Sequence, residues 1–114
     1  MSSRPRKTAA SKAPVFAALG DETRLALLAR LWTGQHYSIA QLTQGTHLTR
    51  QAVTKHLRVL ERVRMVHVTR TGRESVFHFD PKPVLELKNF LEAASSHWDA
   101  ALTRLKTFVE NDQP

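Results

Sequence analysis

The stretch Ser38 to Arg64, SIAQLTQGTHLTRQAVTKHLRVLERVR, decides the fold. It opens on Ser38, whose hydroxyl suits a helix N-cap, and Gln41 three residues later completes a capping box. Ile39, Ala40 and Leu42 give that short helix an apolar side. Gly45 is expected to close it in the positive-φ conformation that glycine adopts without steric cost. Thr49 is a second N-cap, because its hydroxyl accepts an amide bond from the turn that follows. Val53, Leu57 and Leu60 then recur at spacings of four and three, the apolar stripe of a helix. The other side carries Arg50, Gln51, Thr54, Lys55, Arg58 and Arg62. A short helix, a turn with glycine and a second helix with a basic, amide-rich exposed side read as a helix-turn-helix.

Upstream, Asp21 suits the N-cap of a helix running through Leu31, with Leu25, Leu28, Ala29 and Trp32 as its expected buried stripe and Gly34 as its end. Pro14 fits the first turn of a helix over Val15 to Leu19, which Gly20 stops. Residues 1–13 are small, polar and basic and are expected to form a disordered tail. Its Arg4, Arg6, Lys7 and Lys12 make it either a solubilising segment or an arm that touches phosphates.

Downstream of Arg64 the period changes to two. Val66 and Val68 alternate with His67 and Thr69, and Ser75, Phe77 and Phe79 alternate with Val76 and His78. The polar link Arg70-Thr71-Gly72-Arg73-Glu74 between them predicts a β-hairpin. A hairpin directly after such a helix is a wing, with Arg70 and Arg73 at its tip. Asp80-Pro81 then reads as a cap followed by a proline at the first helical position. The final helix is expected from about Pro81 to Val109. Val84, Leu87, Leu91, Ala94, Trp98, Leu102, Leu105 and Val109 advance through it by threes and fours, close to a heptad seam. Leu85, Phe90, Ala101 and Phe108 widen the stripe. So long an apolar face exceeds what a small domain can cover, which implies a partner helix.

Composition agrees with this layout. The length of 114 residues fits one domain over residues 14–110 behind the tail, and the net charge of +7 with a pI near 10.6 favours a polyanionic partner. The charge is localised. Residues 46–73 carry seven Lys/Arg against one acid, whereas residues 80–114 carry four against six. No stretch is apolar for long enough to span a bilayer, so no membrane partner is expected, and the N-terminus has no apolar core of a secretory signal. Cytoplasmic residence is the expectation. The absence of cysteine excludes disulfides and thiolate metal sites. No nucleophile motif, Gly-rich phosphate loop or HExxH occurs, so neither an enzyme nor a cofactor is expected.

The order helix, helix, helix-turn-helix, wing, long helix resembles the ArsR/SmtB family of bacterial winged-helix transcriptional regulators. The matching stretches are Phe16–Leu31, Leu48–Pro81 and the terminal helix, with Leu19-Gly20-Asp21-Glu22-Thr23-Arg24 and Ala52 to Leu60 as the strongest parts. The resemblance implies a mainly α fold with a β-hairpin wing, and a homodimer joined through its first and long C-terminal helices. It implies a regulator, usually a repressor, that binds double-stranded operator DNA near promoters. The interface would use Val15, Phe16, Leu19, Leu91, Ala94, Trp98, Leu102 and Leu105.

The chain departs from the family at its metal sites. The segment Ile39–Gln44, where the thiolate motif would lie, holds neither cysteine nor histidine. On the last helix the only histidine is His97, and the positions three and four residues away are Ala93, Ala94, Ala100 and Ala101. The resemblance is therefore closest to the branch without recognisable metal ligands, and no metal site is expected. His67 and His78 are expected to pair across the hairpin, and His56 to be partly buried and hydrogen-bonded.

Groove chemistry divides the DNA-facing residues. Arg50 and Gln51 open the second helix of the pair and point deepest, where Arg suits guanine and Gln suits adenine. Thr54 and Lys55 lie one turn on. Arg58 and Arg62 suit phosphates, and Arg70 and Arg73 extend the footprint. The alternative readings are a metal- or ligand-gated sensor of the same fold and a winged helix that docks protein instead of DNA.

Overall fold

A computed structural model of the chain describes residues 4–111, with side chains from Ala10 onward. The elements run α1 (Arg4–Leu19), α2 (Glu22–Leu31), β1 (Tyr37–Ser38), α3 (Ile39–Gln44), α4 (Arg50–Arg62), β2 (Val66–Thr71), β3 (Glu74–Phe79) and α5 (Lys82–Asn111). Two units result, Met1–Val84 and Leu85–Pro114.

The caps form where the sequence places them. Asp21 accepts from the Arg24 amide, Thr49 from the Ala52 amide, and Ser38 with Gln41 closes a reciprocal capping box. α1 starts ten residues earlier than Pro14 predicts, so Arg4 to Ala13, expected as disordered tail, are helical. Three alanines and a run of Lys and Arg favour helix there, while Pro14 only withdraws one amide from the ladder. The expectation for residues 1–3 lies outside the described residues.

Two helix ends differ from expectation. Gly45 has φ −87°, so backbone freedom is not what it supplies. A Cβ there would stand 2.7 Å from Arg30 Nη1, and that guanidinium donates to the carbonyls of Leu42 and Gln41 at the end of α3. Glycine at 45 leaves room for a cation that caps α3 from α2. The left-handed residue belongs instead to the end of α4, where Arg64 takes φ 65° and Met65 donates to the Leu60 carbonyl over 3.0 Å. Positive φ crowds the Cβ of an ordinary residue, which is why glycine is usual at such ends.

The sheet is antiparallel in the order β1-β3-β2. β2 and β3 pair in register from Val66↔Phe79 to Thr71↔Glu74, leaving Gly72-Arg73 as a two-residue turn. Gly72 has φ 64° while Arg73 is not in the left-handed region, the pattern of a II′ turn. The hairpin forms where predicted, but Arg70, Thr71 and Glu74, expected in its link, pair within the strands, so only Arg73 of the two wing arginines is at the tip. β1 was not visible in the sequence, because two residues carry no period.

The core is one cluster of Ala18, Leu27, Leu28, Leu31, Leu42, Val53, Leu57, Leu60, Met65, Val66 and Phe77. On α2 the buried residues are Leu27, Leu28 and Leu31, whereas Leu25 and Trp32 are exposed, contrary to the predicted stripe. Arg24 sets that rotation. Its Nε donates to the Ala18 carbonyl over 2.6 Å, its Nη2 to the Ala17 carbonyl over 3.2 Å, and its Nη1 lies 3.2 Å from His56 Nδ1 on α4. Leu28 and Leu31, one and two turns on, are thereby directed into the core. The Asp21 carboxylate is 3.7 Å from the same imidazole nitrogen. His56 is partly buried and hydrogen-bonded, as expected.

Within α5, Asp80 Oδ1 accepts from the Lys82 amide over 2.9 Å, so the helix starts one residue after Pro81. Leu87 is buried, but Leu91, Trp98, Leu102, Leu105, Phe108 and Val109 are exposed.

Two substitutions test this arrangement. Leu57→Ala should cost about 2–5 kcal/mol in urea unfolding, since it empties part of a fully packed core. Arg24→Met should cost about 1–3 kcal/mol, because it leaves the helix-end carbonyls of α1 without their charged donor. An Arg24→Met protein as stable as wild type would show that the rotation of α2 is set by packing alone.

Candidate nucleic-acid interface

α4 follows from its sequence as a two-sided rod. At 100° per residue, Val53, Leu57 and Leu60 fall within roughly 60° of arc, and Arg50, Gln51, Thr54, Lys55, Arg58 and Arg62 within roughly 140° on the other side. The first set is fully buried. Of the second, Thr54 is half-buried and the other five are exposed. The 13 residues from Arg50 to Arg62 span about 20 Å, enough to lie along a major groove.

Not all of these side chains are equally free. Thr54 Oγ1 donates to the Arg50 carbonyl over 2.8 Å, so its hydroxyl proton is committed and its methyl and lone pairs remain. Arg58 donates to Glu61 Oε1 over 2.8 Å. That pair is exposed and weak, and it competes with any phosphate for the guanidinium. Arg70 and Arg73 are exposed at the far end of the hairpin, Arg70 opposite Ser75 and Arg73 within the turn.

The support beneath α4 is polar at its N-terminal half and apolar below. The Arg24 amide holds the Asp21 carboxyl below the usual carboxylate value, with His56 and Arg24 adding charge attraction against the opposing effect of burial. A carboxyl lowered by folding stabilises fully above the ordinary value of 3.8 and loses that contribution as pH falls through its folded value. Near neutrality the Asp21 carboxylate's contribution is fully present. α3 packs against α4 and the sheet, so the short helix sets the angle at which α4 is offered.

The residues expected at a subunit interface divide between the units. Val15 and Leu19 are partly buried against the core of their own chain, and Phe16 is exposed. Leu91, Trp98, Leu102 and Leu105 are exposed along α5, with Ala94 half-buried among them. Ala94, His97, Trp98 and Ala101 border a hollow of about 360 Å³. Among the described residues no group of three or more His, Asp or Glu is placed to hold a metal ion, and no helix is long and apolar enough to cross a membrane. Sequence reasoning missed two contributors to the site, Arg24 and Arg30. Both act across long sequence separations, and neither leaves a local signal.

Comparison with known proteins gives a consistent answer. A helix-turn-helix domain family matches residues 19–69. The chain is 36% identical over 88 residues to the uncharacterized HTH-type transcriptional regulator YuzN of Bacillus subtilis, covering 72% of this chain and 92% of that protein. It is 30% identical over 95 residues to the HTH-type transcriptional regulator Rv2034 of Mycobacterium tuberculosis, covering 83% of this chain and 85% of the relative. Among solved structures, an ArsR-like transcriptional regulator from Rhodococcus sp. RHA1 superposes with a TM-score of 0.79 at 33% identity, over 90% of this chain and 95% of the other. With its helix-turn-helix, its wing and its long final helix, the chain belongs to the ArsR family of winged helix-turn-helix DNA-binding transcriptional regulators.

Proposed function

We propose that the protein is a homodimer that binds a palindromic operator in double-stranded DNA and represses transcription in the cytoplasm by occluding a promoter. The observation that carries this reading is the exposed basic arc of α4, opposite a fully buried stripe and continued by Arg70 and Arg73 on the wing. Arg50 and Gln51 read bases from the N-terminal end of α4, and Thr54 offers its methyl to a thymine. Lys55, Arg58, Arg62, Arg70 and Arg73 hold phosphates.

Dimerisation is supported by α5 itself. Trp98 is 69% exposed and stands beside the small side chains of Ala94 and Ala101, on a face where Leu91, Leu102 and Leu105 are exposed as well. A two-fold axis sets the same apolar face of each copy against the other, with Trp98 beside the partner's small residues. Because Val15 and Leu19 are partly buried against the core of their own chain, α5 supplies the larger part of the seam.

Four measurements test the proposal. Sedimentation of the wild type should give a dimer at micromolar concentration, and Trp98→Ala should weaken it by about 3–5 kcal/mol. A monomer would overturn the assembly. On DNA selected by the purified protein, Gln51→Ala should relax preference at one position per half-site by about 1–3 kcal/mol, while Arg73→Ala weakens all sequences evenly. Equal losses on operator and random DNA would reverse those roles. The logarithm of affinity should fall with the logarithm of salt with a slope of roughly −4 to −7, from about 5–8 phosphate contacts per dimer. Glu61→Gln, which frees Arg58, should steepen that slope by about one for each subunit.

A further inference from the structure

Three imidazoles stand in a row across one face of the sheet. His36 directly precedes β1, His78 lies on β3 and His67 on β2, so the strand order makes His78 the middle ring. Its centroid is 4.9 Å from that of His36, stacked at 30°, and 5.6 Å from that of His67, at 40°. His67 and His78 are register partners, and His36 neighbours the pair Tyr37↔Phe77. Side chains alternate along a strand, so the row is on the face opposite the buried Phe77 and Val66. At one end Asp80 Oδ2 lies 2.7 Å from His67 Nε2. Thr69 Oγ1 is 3.4 Å from His78 Nε2.

The row is extended, and a metal cage is not what it builds: no three of its groups converge. What it can take up is protons. The hydrogen bond with His67 holds the Asp80 carboxyl below its usual value, so a negative charge stands at that end of the row. A proton on His78 must sit between two other imidazoles. Burial already pushes the His78 imidazole below its usual value, His36 and His67 push the same way, and Asp80 opposes them.

We propose that the row His36–His78–His67 is a proton-operated latch on β1. The strand it acts on is the weakest joint of the sheet: β1 is held by two register pairs, whereas β2 and β3 share six. Its second residue, Ser38, is also the N-cap of α3. Charge accumulating along the row repels His36 from His78, frees β1, and uncaps the first helix of the helix-turn-helix. The groups that face His78 are His36 from the β1 side, His67 and Thr69 from β2, and Asp80 beyond β3, and Asp80 alone opposes the repulsion.

The sign follows from linkage. A base whose folded value is depressed binds fewer protons folded than unfolded, so stability falls as pH drops from the ordinary imidazole value of 6.5 toward the lowered one. The new charge also attracts DNA, but only weakly at the wing tip. The row is four register pairs from the Thr71↔Glu74 turn, roughly 13 Å and beyond the Debye length in physiological salt. Loosening therefore wins, and acid weakens DNA binding. That last consequence rests on the proposed function, whereas the latch does not.

Thermal unfolding of the full chain without DNA tests it. Between pH 7.5 and pH 5.5 the wild-type midpoint should fall by at least about 4 °C more than that of His78→Gln, which keeps a polar group near Thr69 but cannot titrate. His36→Gln should lessen the acid loss in the same direction, and it leaves the β2–β3 pairing intact if His78→Gln fails to fold. Amide exchange at Ser38 to Gln41, corrected for intrinsic rates, should rise at pH 5.5 in the wild type only. Equal acid losses in wild type and both variants would overturn the latch. So would a rise in the wild-type midpoint with added zinc that His78→Gln abolishes, because the row would then be a metal site.

Discussion

Burial of Val53, Leu57 and Leu60 along one narrow strip of α4 is the constraint on which the rest of the structure depends. Each of these side chains contributes about 1.5–3 kcal/mol when taken out of water. Together they rival the net stability of a whole domain, about 5–15 kcal/mol. Because they occupy so little arc, they also fix the rotation of α4 about its axis, and with it the direction of every basic residue on the far side. A slip of one residue would turn the helix by 100° and carry either Arg50 or Gln51, according to its direction, out of the exposed arc. The chemistry of the exposed side is thus specified by packing on the buried one.

The polar contacts refine what packing sets. Arg24 joins the end of α1 to His56 on α4, and Arg30 joins α2 to the end of α3, so two arginines of one helix tie down both halves of the helix-turn-helix. Replacing either by an apolar side chain would take a charged donor away from carbonyls at a helix end, although Ala17 would keep the Gly20 amide. This separates the arginines of the chain into two kinds. Arg24 and Arg30 are half-buried and spend their donors inside the fold, whereas Arg50, Arg58, Arg62, Arg70 and Arg73 are exposed and hold theirs outward. A count of basic residues does not make that distinction.

The same distinction explains what was legible in the sequence. Ser38 with Gln41, Thr49 and Asp21 act within three residues of themselves, so the caps and the helices they start could be read directly. The wing was legible from its alternation and from Gly72. The apolar excess of α5 was legible from its heptad spacing. What could not be read depends on partners distant in the chain. Gly45 is shaped by Arg30, His56 is met by a residue 32 positions away, and the two-residue strand β1 exists only because β3 offers it an edge. The exposure of Leu25 and Trp32 is of this kind too. α2 has more apolar residues than one stripe can hold, and the choice among them belongs to Arg24 and the helices it meets. The DNA-facing assignments follow from the face of α4, not from any base contact, and their discrimination among sequences was never a property of this chain alone.

Ser38 shows how a local and a distant device meet in one residue. As the second residue of β1 it pairs with Val76, and as the N-cap of α3 its hydroxyl accepts from the Gln41 amide over 3.2 Å while its own amide donates to Gln41 Oε1 over 2.9 Å. Strand pairing holds its backbone extended, which is the geometry an N-cap requires. The two structures are therefore coupled with no intervening element: any influence that detaches β1 removes the cap, and any that reorders α3 disturbs the edge of the sheet. The segment Ile39 to Gln44 itself holds neither cysteine nor histidine. A signal reaching this helix from its other end, through the sheet, would need no ligand on α3 at all. It would need only a change at β1, because the second residue of that strand is the cap of α3.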